Sequence, residues 1–223
     1  MCKPIRCPAV TEPAFLEAIR SSYDTVAEDY AKLVTTLFAQ EPLGRAMLSA
    51  FAEIVHAGGG GLVADVGCGP GHVTEHLAAL GLDAFGIDLS PRMVEIAGRT
   101  YPERRFEVGS MTALDLPDGQ LAGIVAWWSI LHTPPESLPV VFAEFYRTLA
   151  PGGHLVLGFH VGDEHLRPET SYGHPVSYDA YLLQPDLVEK LLTEAGFAVT
   201  ARLHADGQKW PQACLLAHTY AED

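Results

Sequence analysis

The run from Asp65 to Gly71, with the sequence DVGCGPG, has the residue types and spacing of a ligand-binding turn. Glycine lets the backbone approach a ligand closely and take dihedral angles that a side chain would forbid. The apolar run at 62–64 predicts a short buried strand before Asp65, and the helical spacing of Val73, Leu77 and Leu80 predicts a helix after the turn. Strand, glycine turn and helix in this order indicate a nucleotide-type site at the carboxyl end of a parallel strand.

The ligand of this turn is expected to carry positive charge. A dinucleotide fingerprint counted from Gly67 needs a third glycine at position 72, where this chain has His72. Asp65 would also repel a pyrophosphate at close range. S-adenosylmethionine (SAM) carries a sulfonium and an ammonium group, so an aspartate at the lip of a glycine turn suits it.

The same run resembles motif I of the class I SAM-dependent methyltransferases, and the resemblance covers nearly the whole chain from about Tyr23. It implies an α/β fold with a Rossmann-like seven-stranded sheet in the order 3-2-1-4-5-7-6, the last strand antiparallel, with helices on both faces. It also implies SAM as cofactor and S-adenosyl-L-homocysteine (SAH) as product. The residues expected to contact the cofactor are Tyr23, Tyr30, Asp65, Gly67, Cys68, Gly69, Gly71, Asp88, Leu89, Met93, Gly109, Ser110, Met111, Trp127, Ser129 and His132.

Asp88 is the residue expected to bind the ribose. It ends a predicted second strand at 84–87, about twenty residues beyond the first glycine, where a carboxylate can accept hydrogen bonds from both ribose hydroxyls. The alternative, that Asp88 caps the next helix, is weakened because Ser90 and Pro91 already supply a cap and a first-turn proline. Leu89 and Met93 would then lie near the adenine or the ribose.

A third strand is predicted at 106–108, and in the resembling family the turn that follows it borders the adenine. Gly109 and Ser110 would form that border, and Met111 offers a polarisable side chain to the ring. The alternative is a plain turn followed by a core methionine.

The N-terminal segment, residues 1–57, is expected to cover the cofactor. Residues 1–11 resemble an irregular terminus, 13–39 have helical periodicity, and Pro42 begins a second helix. Within the first helix, Tyr23 and Tyr30 lie in a segment similar to the Y-D-x-x-A-x-x-Y pattern that folds over SAM in many small-molecule methyltransferases. The competing interpretation is that both tyrosines are core residues of an amphipathic helix. Residues 58–223 would form the SAM-binding domain, in one compact unit with that segment.

Candidate catalytic residues follow the fourth and fifth predicted strands. The fourth, at 121–128, lies at the switch point of the sheet, so Trp127, Ser129 and His132 face the reactive half of the cofactor. A helix at 138–149, stopped by the 150–153 turn, leads to a fifth strand at 154–160. Histidine is a suitable general base near neutral pH, and the candidates are His132, His160 and His174. His132 has a second interpretation, that of packing beside the methionine end of SAM.

An insertion at about 161–184, rich in histidine and tyrosine, is expected to cover the acceptor pocket. A helix at 186–195 and an antiparallel pair at 197–203 and 213–219 complete the predicted fold.

Composition narrows the substrate classes. The chain has 223 residues, enough for one domain, and a formal net charge of −14, which disfavours nucleic acid as substrate. Its four cysteines match no zinc spacing, a Cys2–Cys7 pair is not expected, and no apolar stretch is long enough to span a membrane. We therefore expect a cytoplasmic monomer or homodimer without a metal site.

These observations together predict a SAM-dependent methyltransferase for a small-molecule acceptor, such as a specialised metabolite, with O-methylation slightly favoured over N-methylation. Two alternatives stay open, a SAM-binding protein without transferase activity and an NAD-linked oxidoreductase. His72 and the terminal antiparallel pair disfavour the second.

Overall fold

The computed structural model describes residues 13–207 and 209–221. A single seven-stranded sheet forms the centre of the fold. Its strands are, in chain order, β1 (Leu62–Val66), β2 (Asp83–Asp88), β3 (Phe106–Val108), β4 (Leu121–Trp127), β5 (Leu149–His160), β6 (Phe197–Ala205) and β7 (Gln212–Thr219). The expectations for residues 1–11, with Cys2 and Cys7, lie outside the described residues.

The strand order across the sheet is β3-β2-β1-β4-β5-β7-β6. Strands β1 to β5 run parallel to one another, whereas β7 runs antiparallel to both β5 and β6. The predicted fold class and sheet order are confirmed. Because β1 lies between β2 and β4, the carboxyl ends of these three strands meet at one edge of the sheet.

Helices cover both faces of this sheet. They are α1 (Ala14–Ala39), α2 (Pro42–Ala57), α3 (His72–Ala79), α4 (Pro91–Thr100), α5 (Leu138–Thr148) and α6 (Pro185–Glu194), with short 3₁₀ turns at Ile130–His132 and Pro135–Ser137. One buried cluster packs α5 and α6 on the sheet, and a second packs α2 and α3 on the opposite face. Among the described residues, no helix is both long enough and apolar enough to cross a bilayer.

The fifth strand is longer than predicted. The sequence indicated a turn at 150–153 and a strand from His154, but β5 begins at Leu149, directly after α5. The turn residues are paired with β7, since the Gly153 N–H donates to Thr219 Oγ1 at 3.1 Å and that hydroxyl donates to the Ala150 carbonyl at 2.8 Å. Pairing across the sheet, which the local sequence does not reveal, therefore extends the strand.

The insertion at 161–184 forms two short antiparallel ladders of its own. His165–Leu166 pairs with Ala180–Tyr181, and Thr170–Ser171 pairs with His174–Pro175. The second ladder contacts α1, where the Ser22 hydroxyl accepts the Ser177 N–H at 3.0 Å.

Candidate active site

A cavity of about 860 Å³, counted with the part that is open to solvent, lies beneath α1 at the carboxyl ends of β1, β2 and β4. Of the sixteen residues expected to contact the cofactor, all but Gly71 and Met93 line it. Met93 is completely buried, in a small cluster with Ala27 and Ile96 beneath α1.

The glycine turn is shaped by close packing on both sides. Gly67 has a positive φ of 79°, and a Cβ at that position would lie 2.3 Å from the Ser129 Cβ, so only glycine fits. The Ser129 hydroxyl in turn donates to the Val66 carbonyl at 2.8 Å, which joins the ends of β1 and β4. Gly71 has a packing role instead, because its added Cβ would lie 2.7 Å from the Phe106 ring.

Asp88 ties the glycine turn to the end of β2. Its Oδ2 accepts the Gly69 N–H and its Oδ1 accepts the Ser90 N–H, both at 2.8 Å. Burial raises the pKa of Asp88 to about 6. Each carboxylate oxygen keeps a second acceptor site, so two neighbouring hydroxyls can still be bound. The predicted cap is present too, since the Ser90 hydroxyl accepts the Met93 N–H at 3.1 Å.

Asp65 lies deeper than a residue at the lip of the turn. Its side chain is 1% exposed, and Oδ2 accepts the Thr74 hydroxyl at 2.7 Å. Burial raises the pKa of Asp65 to about 7, although the hydrogen bonds from Thr74 oppose the rise. A cation that entered the cavity would favour the ionised form of this carboxyl.

Tyr23 and His132 form a hydrogen-bonded chain at the end of β4. The Tyr23 hydroxyl lies 2.7 Å from His132 Nε2, and His132 Nδ1 lies 2.9 Å from the Asp179 carbonyl oxygen. A carbonyl only accepts, so Nδ1 carries the ring proton and Nε2 accepts from Tyr23. Burial lowers the pKa of His132 to about 4, which keeps the ring neutral at pH 7. The sequence left open whether Tyr23 covers the cofactor or packs in the core; its side chain lines the cavity, and its hydroxyl donates to His132.

The other two candidate bases do not line the cavity. His160 lies between Trp128 and Trp210, with ring centroids 4.8 and 5.4 Å away. His174 is paired with Asp29 of α1 at 2.8 Å. The insertion contacts α1 at Ser22, Tyr23 and Asp29, and none of its residues is among those that line the cavity.

Trp128 has a backbone conformation that is rare for a bulky residue. Its φ is 53°, and its N–H donates to the Gly158 carbonyl at 2.9 Å. Such a conformation costs about 1–3 kcal/mol and is found most often at functional sites. The side chain borders the cavity beside Leu16 and Ile19 of α1.

Eight further lining residues were not among the predicted cofactor contacts, namely Leu16, Ile19, Val34, Val66, His72, Val73, Trp128 and Thr133. The α1 residues carried a usable signal, because they share one helical face with Tyr23 and Tyr30. His72 was considered only as the residue that replaces a third glycine.

Side chains of α1 fix the helix over the cavity. Asp24 accepts hydrogen bonds from the Ser90 hydroxyl and the Arg92 N–H, both at the start of α4. Glu28 forms ion pairs with Arg92 and Arg99 at 2.8 and 3.1 Å. Tyr23 stacks on Tyr178 of the insertion, with centroids 5.6 Å apart.

Comparison with known proteins finds methyltransferases among both the family-model and the sequence matches. A family model described as "Methyltransferase domain" matches residues 63–153. The O-methyltransferase cnsE of Penicillium expansum is 31% identical over 146 residues, which cover 61% of this chain and 52% of that protein. The demethylmenaquinone methyltransferase of Symbiobacterium thermophilum is 26% identical over 221 residues, covering 82% of this chain and 85% of that protein. This chain thus spans about half of the first relative and most of the second.

Solved structures with the same fold include a magnesium protoporphyrin IX methyltransferase from Synechocystis PCC 6803 with bound SAM. Its TM-score is 0.69 at 19% identity, over 94% of this chain and 99% of that one. The match at 63–153 contains the glycine turn, Asp88 and all of β4, so it falls on the elements that build the cavity. Residues 63–153 thus match a methyltransferase domain, and the chain has the fold of solved SAM-dependent methyltransferases.

Proposed function

We propose that this protein transfers the methyl group of SAM to a hydroxyl group of a small-molecule acceptor. The observation that carries the proposal is the composition of one cavity, which has carboxylates at the ends of β1 and β2 and a neutral histidine at the end of β4. The carboxylates suit a cationic, ribose-containing cofactor. The histidine suits the removal of a proton from an acceptor at the other end.

The chemistry of the residues that line the cavity suits SAM. Asp88 has free acceptor sites for the ribose hydroxyls, and Ser110 and Met111 border the space for adenine. Asp65 lies between them and β4, where its carboxylate can pair with a cationic group. When bound, SAM supplies a methyl group on a positively charged sulfur. The chain has to align the acceptor with it and exclude water, and alignment contributes up to roughly 7–11 kcal/mol in favourable cases.

The Tyr23–His132 pair is the proposed proton acceptor. An acceptor hydroxyl that donates to the Tyr23 oxygen would pass its proton along the chain, as Tyr23 donates to His132 Nε2. Burial raises the pKa of Tyr23 well above its ordinary value, so the phenol transfers the proton onward and does not hold a negative charge itself. The Asp179 carbonyl holds the ring in the required tautomer.

O-methylation is preferred over N-methylation because a hydroxyl gains most from a general base, whereas a free amine needs none. The name of the Penicillium relative, an O-methyltransferase, supports this choice. The Symbiobacterium relative is named for demethylmenaquinone, which supports a small acceptor. The formal net charge of −14 argues against nucleic acid.

The cover over the cavity is part of the proposal. Residues 13–57, together with the insertion at 161–184, would act as a cap that closes over the cofactor and the acceptor. Hydrogen bonds of α1 support this role: Asp24 bonds to Ser90 at the start of α4, and Ser22 and Asp29 bond to the insertion.

The proposal is tested by incubating the purified protein with methyl-labelled SAM and small-molecule extracts, and identifying labelled products by mass spectrometry. We expect a labelled ether or ester that is absent when Asp88→Ala replaces the wild-type protein. A labelled amine would favour N-methylation. Tight SAM binding with no labelled product across a broad metabolite panel would contradict the proposal and favour a SAM-binding protein without transferase activity.

A further inference from the structure

One end of the cavity lies beyond Tyr23, on the side away from the glycine turn. Ile19 and Leu16 line it, about one and two turns before Tyr23 on the same face of α1. Tyr30 marks the opposite end, since a Cβ added at Gly69 would lie 3.5 Å from its ring. A helix rises about 1.5 Å per residue, so Ile19 lies about 16 Å along α1 from Tyr30. The part of the cavity lined by Leu16 and Ile19 is called the far end below.

The polar side chains around His132 are already hydrogen-bonded within the protein. Thr133 lines the cavity, and its hydroxyl donates to Met111 Sδ at 3.5 Å. Both ring nitrogens of His132 are bonded, Nε2 to the Tyr23 hydroxyl and Nδ1 to the Asp179 carbonyl. The Tyr23 oxygen is then the polar atom left for an acceptor, and the leucine and isoleucine of the far end offer only apolar contacts.

The cavity contains no positive charge that could hold an anionic acceptor. No lysine or arginine is found among its lining residues in the described part of the chain. Its two histidines, His72 and His132, are neutral at pH 7 because burial lowers the pKa of each to about 4. A carboxylate, phosphate or sulfate would therefore lose its hydration without gaining a partner. A cationic acceptor is no better served at the far end, since Asp65 and Asp88 stand at the ends of β1 and β2.

Two arginines close to these elements in the chain are paired with carboxylates. Arg20, next to Ile19, lies 2.6 Å from Glu17. Arg167 of the insertion lies 3.0 Å from Asp179. Neither arginine lines the cavity, so neither is placed to hold an anionic group of an acceptor.

We propose that the acceptor is an uncharged, hydrophobic molecule that presents its hydroxyl to Tyr23 and packs its apolar body against Leu16 and Ile19. This inference rests on the proposed function and narrows its substrate class, because acceptors with a carboxylate, phosphate, sulfate or ammonium group are excluded. Ile19 is then a specificity-determining residue. A positive charge in its place should admit anionic acceptors.

The test separates a small-molecule extract by ion exchange into neutral, anionic and cationic fractions before each is incubated with the protein and methyl-labelled SAM. We expect the neutral fraction to yield at least about tenfold more labelled product than either charged fraction, since a buried charge without a partner is costly. Ile19→Lys should lower the ratio of neutral to anionic label at least about tenfold, because the ammonium group pairs with an anion and replaces an apolar contact.

Calorimetry with SAH separates the far end from the cofactor site. Ile19→Lys should change the dissociation constant for SAH by less than about threefold, since the far end does not contact the cofactor. Leu33→Lys is the matched control, because it makes the same change of charge on the same helix. Leu33 is 43% exposed and does not line the cavity. Its variant should keep the label ratio and the SAH affinity of the wild type.

The inference is overturned if the wild type takes label mainly from a charged fraction, or if Leu33→Lys shifts the ratio as far as Ile19→Lys does. A loss of SAH affinity of at least about tenfold in Ile19→Lys would also overturn it, because Ile19 would then face the cofactor. Should Ile19→Lys fail to fold, the fractions decide with the wild-type protein alone. SAH binding with no label from any fraction contradicts the proposed function instead.

Discussion

At the scale of single residues, the Asp88 carboxylate holds the glycine turn and is also the proposed acceptor for the ribose hydroxyls. It already accepts two backbone N–H groups, and these fix its orientation toward the cavity. Asp88→Ala should weaken SAM binding at least about tenfold, since a charged acceptor for the ribose is lost. Calorimetry with SAM measures the effect. Asp83→Ala, at the exposed start of the same strand, is the control and should bind normally. Unchanged affinity in Asp88→Ala would contradict the ribose assignment.

Asp65 makes cofactor binding dependent on pH. In the free protein its pKa is about 7, so at lower pH the group is protonated and must lose its proton before it can pair with a cation. SAM affinity should therefore fall as pH falls from about 7.5 to 5.5, by up to about tenfold per unit. Asp65→Asn should bind more weakly at pH 7.5 and show a flatter profile. Parallel profiles for the two proteins would rule out Asp65 as the titrating group.

Tyr23 and His132 should behave as one catalytic unit. If the proton passes along their hydrogen bond, Tyr23→Phe and His132→Ala each lower kcat by about 10²–10⁴-fold, and the double variant is no worse than either. The dissociation constant for SAM should change far less than kcat. Tyr178→Phe is the control, because the Tyr178 hydroxyl donates to Ser171 and takes no part in the hydrogen bonds between Tyr23 and His132. Additive losses in the double variant would refute the shared path.

At the scale of elements, the connection of α1 to α4 through Asp24 is the contact that most directly fixes the cap. Asp24 accepts from the N-cap residue Ser90 and from Arg92 at the start of α4. Asp24→Ala should speed amide hydrogen exchange in α1 and weaken SAM binding several-fold, while exchange in the central strands stays slow. Hydrogen-exchange mass spectrometry measures this. Glu17→Ala removes an ion pair internal to the same helix and should leave exchange unchanged. Equal protection in both variants would argue against the cap.

Sequence patterns predicted the elements with strong periodicity and missed those that depend on pairing. The helices α1, α2 and α5 and the strand β3 lie close to their expected bounds, since their apolar spacing is local information. The early start of β5 depends on the pairing of Leu149 with Leu121 of β4 and on the hydrogen bonds of Thr219 to the 150–153 segment, all with residues far apart in the chain. The ladders at 161–184 are short and polar, so neither periodicity nor composition revealed them or the direction in which they fold.

At the scale of the whole molecule, charge is the property most open to experiment. A formal net charge of −14 in 223 residues implies self-repulsion in the folded state. Raising NaCl from about 10 to 200 mM should raise Tm by a few degrees and then level off, as the screening length falls below about 10 Å. Differential scanning fluorimetry at fixed pH measures the change. A Tm that falls with salt would show that specific ion pairs, such as those of Glu28, outweigh the repulsion.

The overall fold was predictable because the strand–turn–helix around Asp65 indicates the centre of a parallel sheet. The antiparallel pair of C-terminal strands indicates its edge. The residues that line the cavity at the ends of β1, β2 and β4 followed from the same positions, each at the end of a predicted strand. Which of the candidate histidines lines the cavity did not follow, since the packing of the insertion against α1 places His174 beside Asp29. His72 was missed because its burial beside an uncapped helix terminus is a tertiary property.

The fastening of α1 across the cavity has a consequence for repeated turnover. Under the proposed cap, spent cofactor would lie beneath a helix joined to α4 and to the insertion, and Asp24 and Asp29 would have to give up their partners before it leaves. Each round of the reaction would then wait for that helix to lift. Acceptors that differ widely in intrinsic nucleophilicity would then be methylated at similar turnover rates. A more viscous solvent would lower all of these rates by a similar factor.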